Sequence, residues 1–187
     1  MAIPKVTVTP AIRNKIFAAL VGAGVMGPSA YVASNLTVDS EGIVLVPHAD
    51  PVGLQTICIG HLVKKGEVVK PRYTLDECIE IFVQDWKANE AMLEKVVKVD
   101  FQSPWMKGAL TDFTLNKGIG NVSTSTLLRN LNKKEYDKAC EQLTRWVYAG
   151  GKIWPGLVIR ASKQYKYCMG EVPGDYVPTI QRWDTFQ

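Results

Sequence analysis

The sequence predicts an α+β protein, a small β-hairpin lobe followed by a mostly helical lobe, with a weakly hydrophobic helix ahead of both. Three observations carry this. Strand-like stretches and turn residues are confined to residues 43–61, helical periodicity sets in beyond Lys64 and returns as far as Cys168, and residues 16–38 carry no charge. The chain has 187 residues, 47% hydrophobic and 21% charged, so it can bury a core and is not disordered by composition. The formal net charge is +4, and three of the bases, Lys5, Arg13 and Lys15, precede the first acid, Asp39. The remainder is close to neutral, which argues against a nucleic-acid-binding stripe.

The amino-terminal element comes first. Ile16 to Ala33 is a run of 18 apolar or small residues, near the lower limit for spanning a bilayer. Ten of the 18 are Ala, Gly, Ser or Pro, so its affinity for lipid is weak, and Gly22, Gly24, Gly27 and Pro28 interrupt helix propensity. Bases ahead of the run leave the amino terminus in the cytoplasm and send everything after Asp39 across the membrane. A permanent anchor fits better than a cleaved signal, because Tyr31 and Val32 interrupt any A-x-A-like cleavage site. A buried helix of a soluble protein is the competing reading.

The β lobe follows. Ile43 to Val46, a turn cluster at His48 to Pro51, Gly53, and a second run from Leu54 to Ile59 read as a hairpin. Thr74 and Glu77 form a capping box for a long helix to about Val97, with Cys78, Ile79, Phe82, Trp86 and Leu93 on one face. Ser103-Pro104 opens a second helix that turns Met106, Ala109, Leu110 and Phe113 inward and stops at Gly118 or Gly120. Short helices are expected over 125–131 and 134–148, and a last one from Pro155 to Cys168, stopped by Gly170. Residues 171–187 read as an extended tail whose Tyr176, Trp183 and Phe186 pack back on the body. This divides the chain into a basic segment 1–15, an anchor segment 16–38, a body 39–170 and the tail.

Cys58, Cys78, Cys140 and Cys168 all lie past the apolar run and form no C-x-x-C, which argues against zinc. In an oxidising compartment they allow two disulfides in three possible connectivities; otherwise they are four buried thiols. No metal and no cofactor is expected.

The densest chemistry lies between Glu41 and His61. Glu41 and Asp50 are nine positions apart across a hairpin, and Thr56 follows on the second strand. Two carboxylates are what glycoside hydrolysis requires, one to protonate the leaving oxygen and one to place water or stabilise positive charge. A turn carboxylate is by itself usually only solvated. Glu41, eight residues, Asp50, five residues, Thr56 resembles the catalytic signature of the phage-type lysozymes, the endolysins of lambdoid and related phages. The resemblance runs on through Gly53, Gly60, His61, Ala109-Leu110, Phe113, Asn116, Gly118, Gly120, residues 125–128, Arg145-Trp146, residues 149–151 and 156–160, covering about residues 39–170. The weak, cysteine-free apolar run is similar to a signal-anchor-release segment.

The resemblance implies a monomeric muramidase acting on the β-1,4 bond between N-acetylmuramic acid and N-acetylglucosamine in peptidoglycan. It makes Glu41 the general acid, which must hold its proton, with Asp50 and Thr56 holding the attacking water. Asn116, His48 and Arg160 are the candidate substrate-binding residues. The implied location is the host inner membrane through residues 16–38, then the periplasm after release. His61 reads as structural, and Trp86, Trp105 and Trp146 as core. The sequence departs from the family pattern at Cys58, where many members have glycine, at Ala161, often a second arginine, and at Lys163-Gln164, where an acid is common. Two other activities remain open on the residues alone: a lytic transglycosylase giving 1,6-anhydro products, and a non-catalytic, membrane-tethered wall-binding protein.

Overall fold

The computed structural model describes residues 5–49 and 53–176. Helix α1 (Pro10–Gly22) begins where Thr9 accepts a hydrogen bond from the Ile12 N–H and Pro10 takes the first turn. It ends in a turn at Gly24, whose φ of 90° only glycine adopts without strain. Helix α2 (Gly27–Val32) again opens with a proline, widens into a π-helical turn over 33–37 and tightens into α3 (Val38–Glu41). Gly42, at φ 74°, stops it directly after Glu41.

The expected single amino-terminal helix is thus two helices and a wide turn, and they are packed into the protein. Ile16, Leu20, Ala30, Val32, Ala33 and Val38 are fully buried. Small side chains make this possible: a Cβ on Gly108 would come within 2.9 Å of the Ser29 Cα, so α2 lies directly against the backbone of the helix carrying Gly108. Among the described residues, no helix is long and apolar enough to cross a membrane.

Strands β1 (Val44–Ala49), β2 (Gln55–Cys58) and β3 (His61–Leu62) form an antiparallel sheet in that order, with His48 opposite Thr56 and an irregularity between Val44 and His48. The capping box at Thr74 starts α4 (Leu75–Val96), and Ser103 caps α5 (Pro104–Lys117), both as expected. Beyond Gly118 the chain makes an unexpected short helix, α6 (Ile119–Thr124), before α7 (Thr126–Asn132). The helix expected over 134–148 is shorter: α8 (Tyr136–Glu141) passes into a 3-10 turn over 142–145 and then a hairpin, β4 (Tyr148–Ala149) and β5 (Lys152–Ile153). Gly150 and Gly151 have φ values of 57° and 75°, a left-handed pair that folds the chain back rather than merely ending a helix. Helix α9 (Pro155–Cys168) closes the lobe.

Two cores result. One joins α1–α3 to Ile43, Ile59, Ile79, Phe82, Trp86 and Trp105. The other gathers Leu93, Met106, Leu110, Phe113, Leu127 and Leu143 in the helical lobe. The cysteines form two bridges, Cys58–Cys78 between sheet and α4 and Cys140–Cys168 between α8 and α9. Cys58 sits at φ 57°, in the left-handed region that glycine adopts most freely. In the tail, the Tyr176 ring packs 4.7 Å from Trp105 and 5.4 Å from Tyr31, and the Tyr31 hydroxyl donates to Asp175 at 2.7 Å. Burial first, and then that hydrogen bond, push the Tyr31 hydroxyl pKa up. Trp183 and Phe186 lie outside the described residues.

Candidate active site

Glu41 ends α3, and its side chain is 23% exposed. Arg160, on α9, donates from Nη1 to Glu41 Oε1 at 2.6 Å. The remainder of the guanidinium grips Asp112 of α5 in a two-pronged pair, Nε to Oδ2 at 3.0 Å and Nη2 to Oδ1 at 2.8 Å. Asp112 is fully buried and also accepts from Thr37 Oγ1 at 2.6 Å and Gln164 Nε2 at 2.7 Å. Four donors therefore saturate a carboxylate that would be costly if left alone. Burial alone would lower the Arg160 pKa; Asp112, and then Glu41, more than offset it, so the guanidinium stays charged. Lys117 faces the same centre, and burial together with Arg160 lowers its pKa while Glu41 pulls the other way.

The opposite side of Glu41 rests on the sheet. A Cβ on Gly60 would lie 2.9 Å from both Glu41 Cγ and Oε2, so glycine at the β2–β3 turn lets the acid lie flat against the lobe that carries Thr56. Thr56 itself is 6% exposed and donates from Oγ1 to the Leu54 carbonyl at 3.2 Å. His48, across the ladder from it, is half-buried with Nδ1 3.2 Å from the Val46 carbonyl. Asp50 lies outside the described residues. His61 bridges Asp85 at 2.7 Å and Glu67 at 3.0 Å, tying the sheet to α4, as a structural histidine does.

A groove of about 630 Å³ opens beside Glu41, walled by α3, Asn116 of α5, the β4–β5 hairpin and α9. It holds Glu41, Asn116 and Arg160 together, three of the six residues singled out from the sequence. Arg160 serves the acid and the buried Asp112 rather than open solvent. The sequence departures resolve here: Ala161 is buried, Gln164 donates to Asp112, and Lys163 lines the groove. Asp112 and Thr37 were not anticipated, and Gly60 and Gln164 were named as positions of the family pattern without a role. Asp112 had a signal, an acid between Leu110 and Phe113 on an apolar helix face; the others show only once distant segments meet.

A small sheet against a helical lobe, with a glutamate clamped at the mouth of a groove, is the arrangement of a lysozyme-type glycoside hydrolase. The family model described as phage lysozyme matches residues 38–164. A SAR-endolysin of Bacteriophage PS119 is 37% identical over 164 residues, 86% of this chain and 96% of that one. A SAR-endolysin of Enterobacteria phage P21 is 35% identical over 161 residues, with the same shares covered. In fold, the chain is similar to the active form of the P1 phage endolysin Lyz, with a TM-score of 0.74 over 92% of this chain and 99% of that one at 17% identity. The chain belongs to the phage lysozyme family.

Proposed function

We propose that the chain is a muramidase that hydrolyses the β-1,4 bond between N-acetylmuramic acid and N-acetylglucosamine in peptidoglycan, lysing the host from the periplasmic side. Glu41 donates a proton to the bridging oxygen. Its Oε1 is held by Arg160, and its Oε2 lies against Gly60 of the sheet lobe. Asp50 and Thr56 hold the attacking water on the opposite sugar face, the inverting arrangement, which needs carboxyl groups about 6.5–9.5 Å apart. Asn116 and His48 contact the sugars. The observation that carries this reading is the three-way clamp of Glu41, Arg160 and Asp112 beside an open groove. Glu41→Gln keeps the shape and removes the proton, so it abolishes lysis of permeabilised Gram-negative cells with the fold intact. Wild-type turnover by that variant removes Glu41 from the mechanism, and 1,6-anhydro ends in the product replace hydrolysis with transglycosylation.

Residues 16–38 act as a signal-anchor-release segment, first in the inner membrane with the amino terminus cytoplasmic, then withdrawn to fold as α1–α3. The support is compositional: a segment this rich in small residues is poorly held by lipid and fits closely against Gly108. Leucine at Gly22 has open space in the folded form, whereas Gly24 needs its left-handed backbone. Gly22→Leu therefore raises lipid affinity without straining the fold; it retains the protein in membranes and delays lysis. Unchanged fractionation and unchanged lysis timing count against control by release.

A further inference from the structure

Trp154 stands apart from the other described tryptophans. Trp86 and Trp105 are 0% and 7% exposed, and Trp146 packs edge-on against Phe113 at 5.2 Å. Trp154 is 51% exposed, lines the groove that holds Glu41, and takes part in none of the ring pairs among the described residues.

Its position in the chain makes no sense for helix stability. Trp154 is the N-cap of α9 and supplies no side-chain hydrogen bond to the helix, where Ser, Thr, Asp or Asn would stabilise by about 1 kcal/mol. A local rule broken at the edge of a site points to a use there. The side chain is nonetheless held firmly. Its indole N–H donates to the Ala149 carbonyl at 2.9 Å, and its backbone N–H donates to Val147 at 3.0 Å, pinning the residue to the β4–β5 hairpin. The ring is thus oriented in advance, with its polar edge satisfied by the protein and its apolar surface left toward the groove.

We infer that Trp154 is a sugar platform: its ring takes the C–H face of a pyranose of the glycan strand and positions that strand against Glu41. An aromatic face carries the negative end of a quadrupole and attracts the polarised C–H groups of a sugar. Asn116 and Lys163, which line the same groove, offer a carboxamide and an ammonium to the acetamido and hydroxyl groups around the ring. The groove volume of about 630 Å³ falls in the range of roughly 300–1,000 Å³ usual for ligand sites. This assignment rests on the muramidase reading and names the part of the substrate, glycan rather than peptide stem, that the hairpin wall recognises.

The test compares Trp154→Ala, Trp154→Leu and Trp154→Phe on purified peptidoglycan, with Glu41→Gln alongside. A platform raises KM in the alanine and leucine variants by about five- to tenfold, the scale of one aromatic contact, with kcat within about twofold, and phenylalanine restores KM. In the inactive Glu41→Gln protein, glycan strands stripped of their peptides shift the tryptophan emission, and Trp154→Phe removes the shift. The inference is overturned by an unchanged KM in the alanine variant, by leucine serving as well as phenylalanine, or by a shift seen only when peptide stems are present. Should the alanine variant not fold, the leucine and phenylalanine pair still decides. Failure of the wild type to cleave glycan at all, equal to Glu41→Gln, instead overturns the reading beneath it.

Discussion

The run from Pro10 to Glu41 and the lobe from Pro104 to Cys168 are both buried, by different means. The lobe fills its interior with large side chains such as Met106, Leu110, Phe113 and Leu143, and a disulfide joins α8 to α9. The amino-terminal run has no cysteine and docks partly through small residues. Besides the buried Ile16, Leu20, Val32 and Val38, its ties to itself and to the body include polar ones: Arg13 to the Ser34 carbonyl at 3.2 Å and to Asp39 at 2.5 Å, Lys15 to Asp76, and Ser29 to Glu90 at 3.3 Å. Partly exposed pairs of this kind contribute little each. A run without a crosslink, tied partly by weak polar pairs, suits the late placement that the release proposed above requires. Arg160 and Asp112 join the two, since Thr37 and Glu41 come from the run and Asp112, Arg160 and Gln164 from the lobe.

That contrast can be broken most forcefully at the joint. Asp112→Ala leaves Arg160 buried with Glu41 as its remaining carboxylate, and should cost about 3–5 kcal/mol by urea unfolding, together with activity. A loss below 1 kcal/mol would show that the joint is not structural. Replacing Cys140 and Cys168 with alanine opens a bridge with a sequence separation of 28 and should cost about 3 kcal/mol, lowering the lobe's stability while leaving the docking of α1 and α2 in place. Gly108→Val acts on the other region. The new Cβ meets the Ser29 backbone, so the variant should lose about 2 kcal/mol and expose residues 10–32 to proteolysis ahead of the lobe. Simultaneous cleavage of both regions would mean that they are one cooperative unit.

The smallest effect is titration of His61, which belongs to neither region. The hydrogen bond that His61 donates to Asp85 raises its pKa; burial opposes this, and the charges of Asp85 and Glu67 add to the rise. A folded pKa above the ordinary value of about 6.5 stabilises the protein fully below that value, and the benefit is lost as pH rises through the higher folded pKa. The thermal midpoint should therefore fall over that window, and His61→Asn should flatten the curve. An unchanged slope in that variant would remove His61 as its source.

Much of the fold was legible in the chain because local rules decided it. Thr74 with Glu77, Ser103 with Pro104, and Pro155 with Gly170 are caps and stops whose effect needs no distant partner. The helix expected over 134–148 is shorter because the chain tightens into a 3-10 turn over 142–145 and then reverses at Gly150 and Gly151, whose left-handed backbone makes a hairpin turn. Glu41, Asn116 and Arg160 were legible as a pattern and do meet at one groove. Asp112 and Gly60 acquire meaning only against partners 48 and 19 positions away in Arg160 and Glu41.

By itself the sequence determined the first hairpin, the long capped helices, the carboxylate spacing and the weak apolarity of residues 16–38, because propensity, capping and composition act over a few residues. Only the tertiary structure decided where that apolar run goes in the folded form, which cysteines pair, and that a buried aspartate shares its arginine with Glu41. Each of these depends on close approach between segments far apart in the chain, where close packing and the cost of an unpaired buried charge select one arrangement.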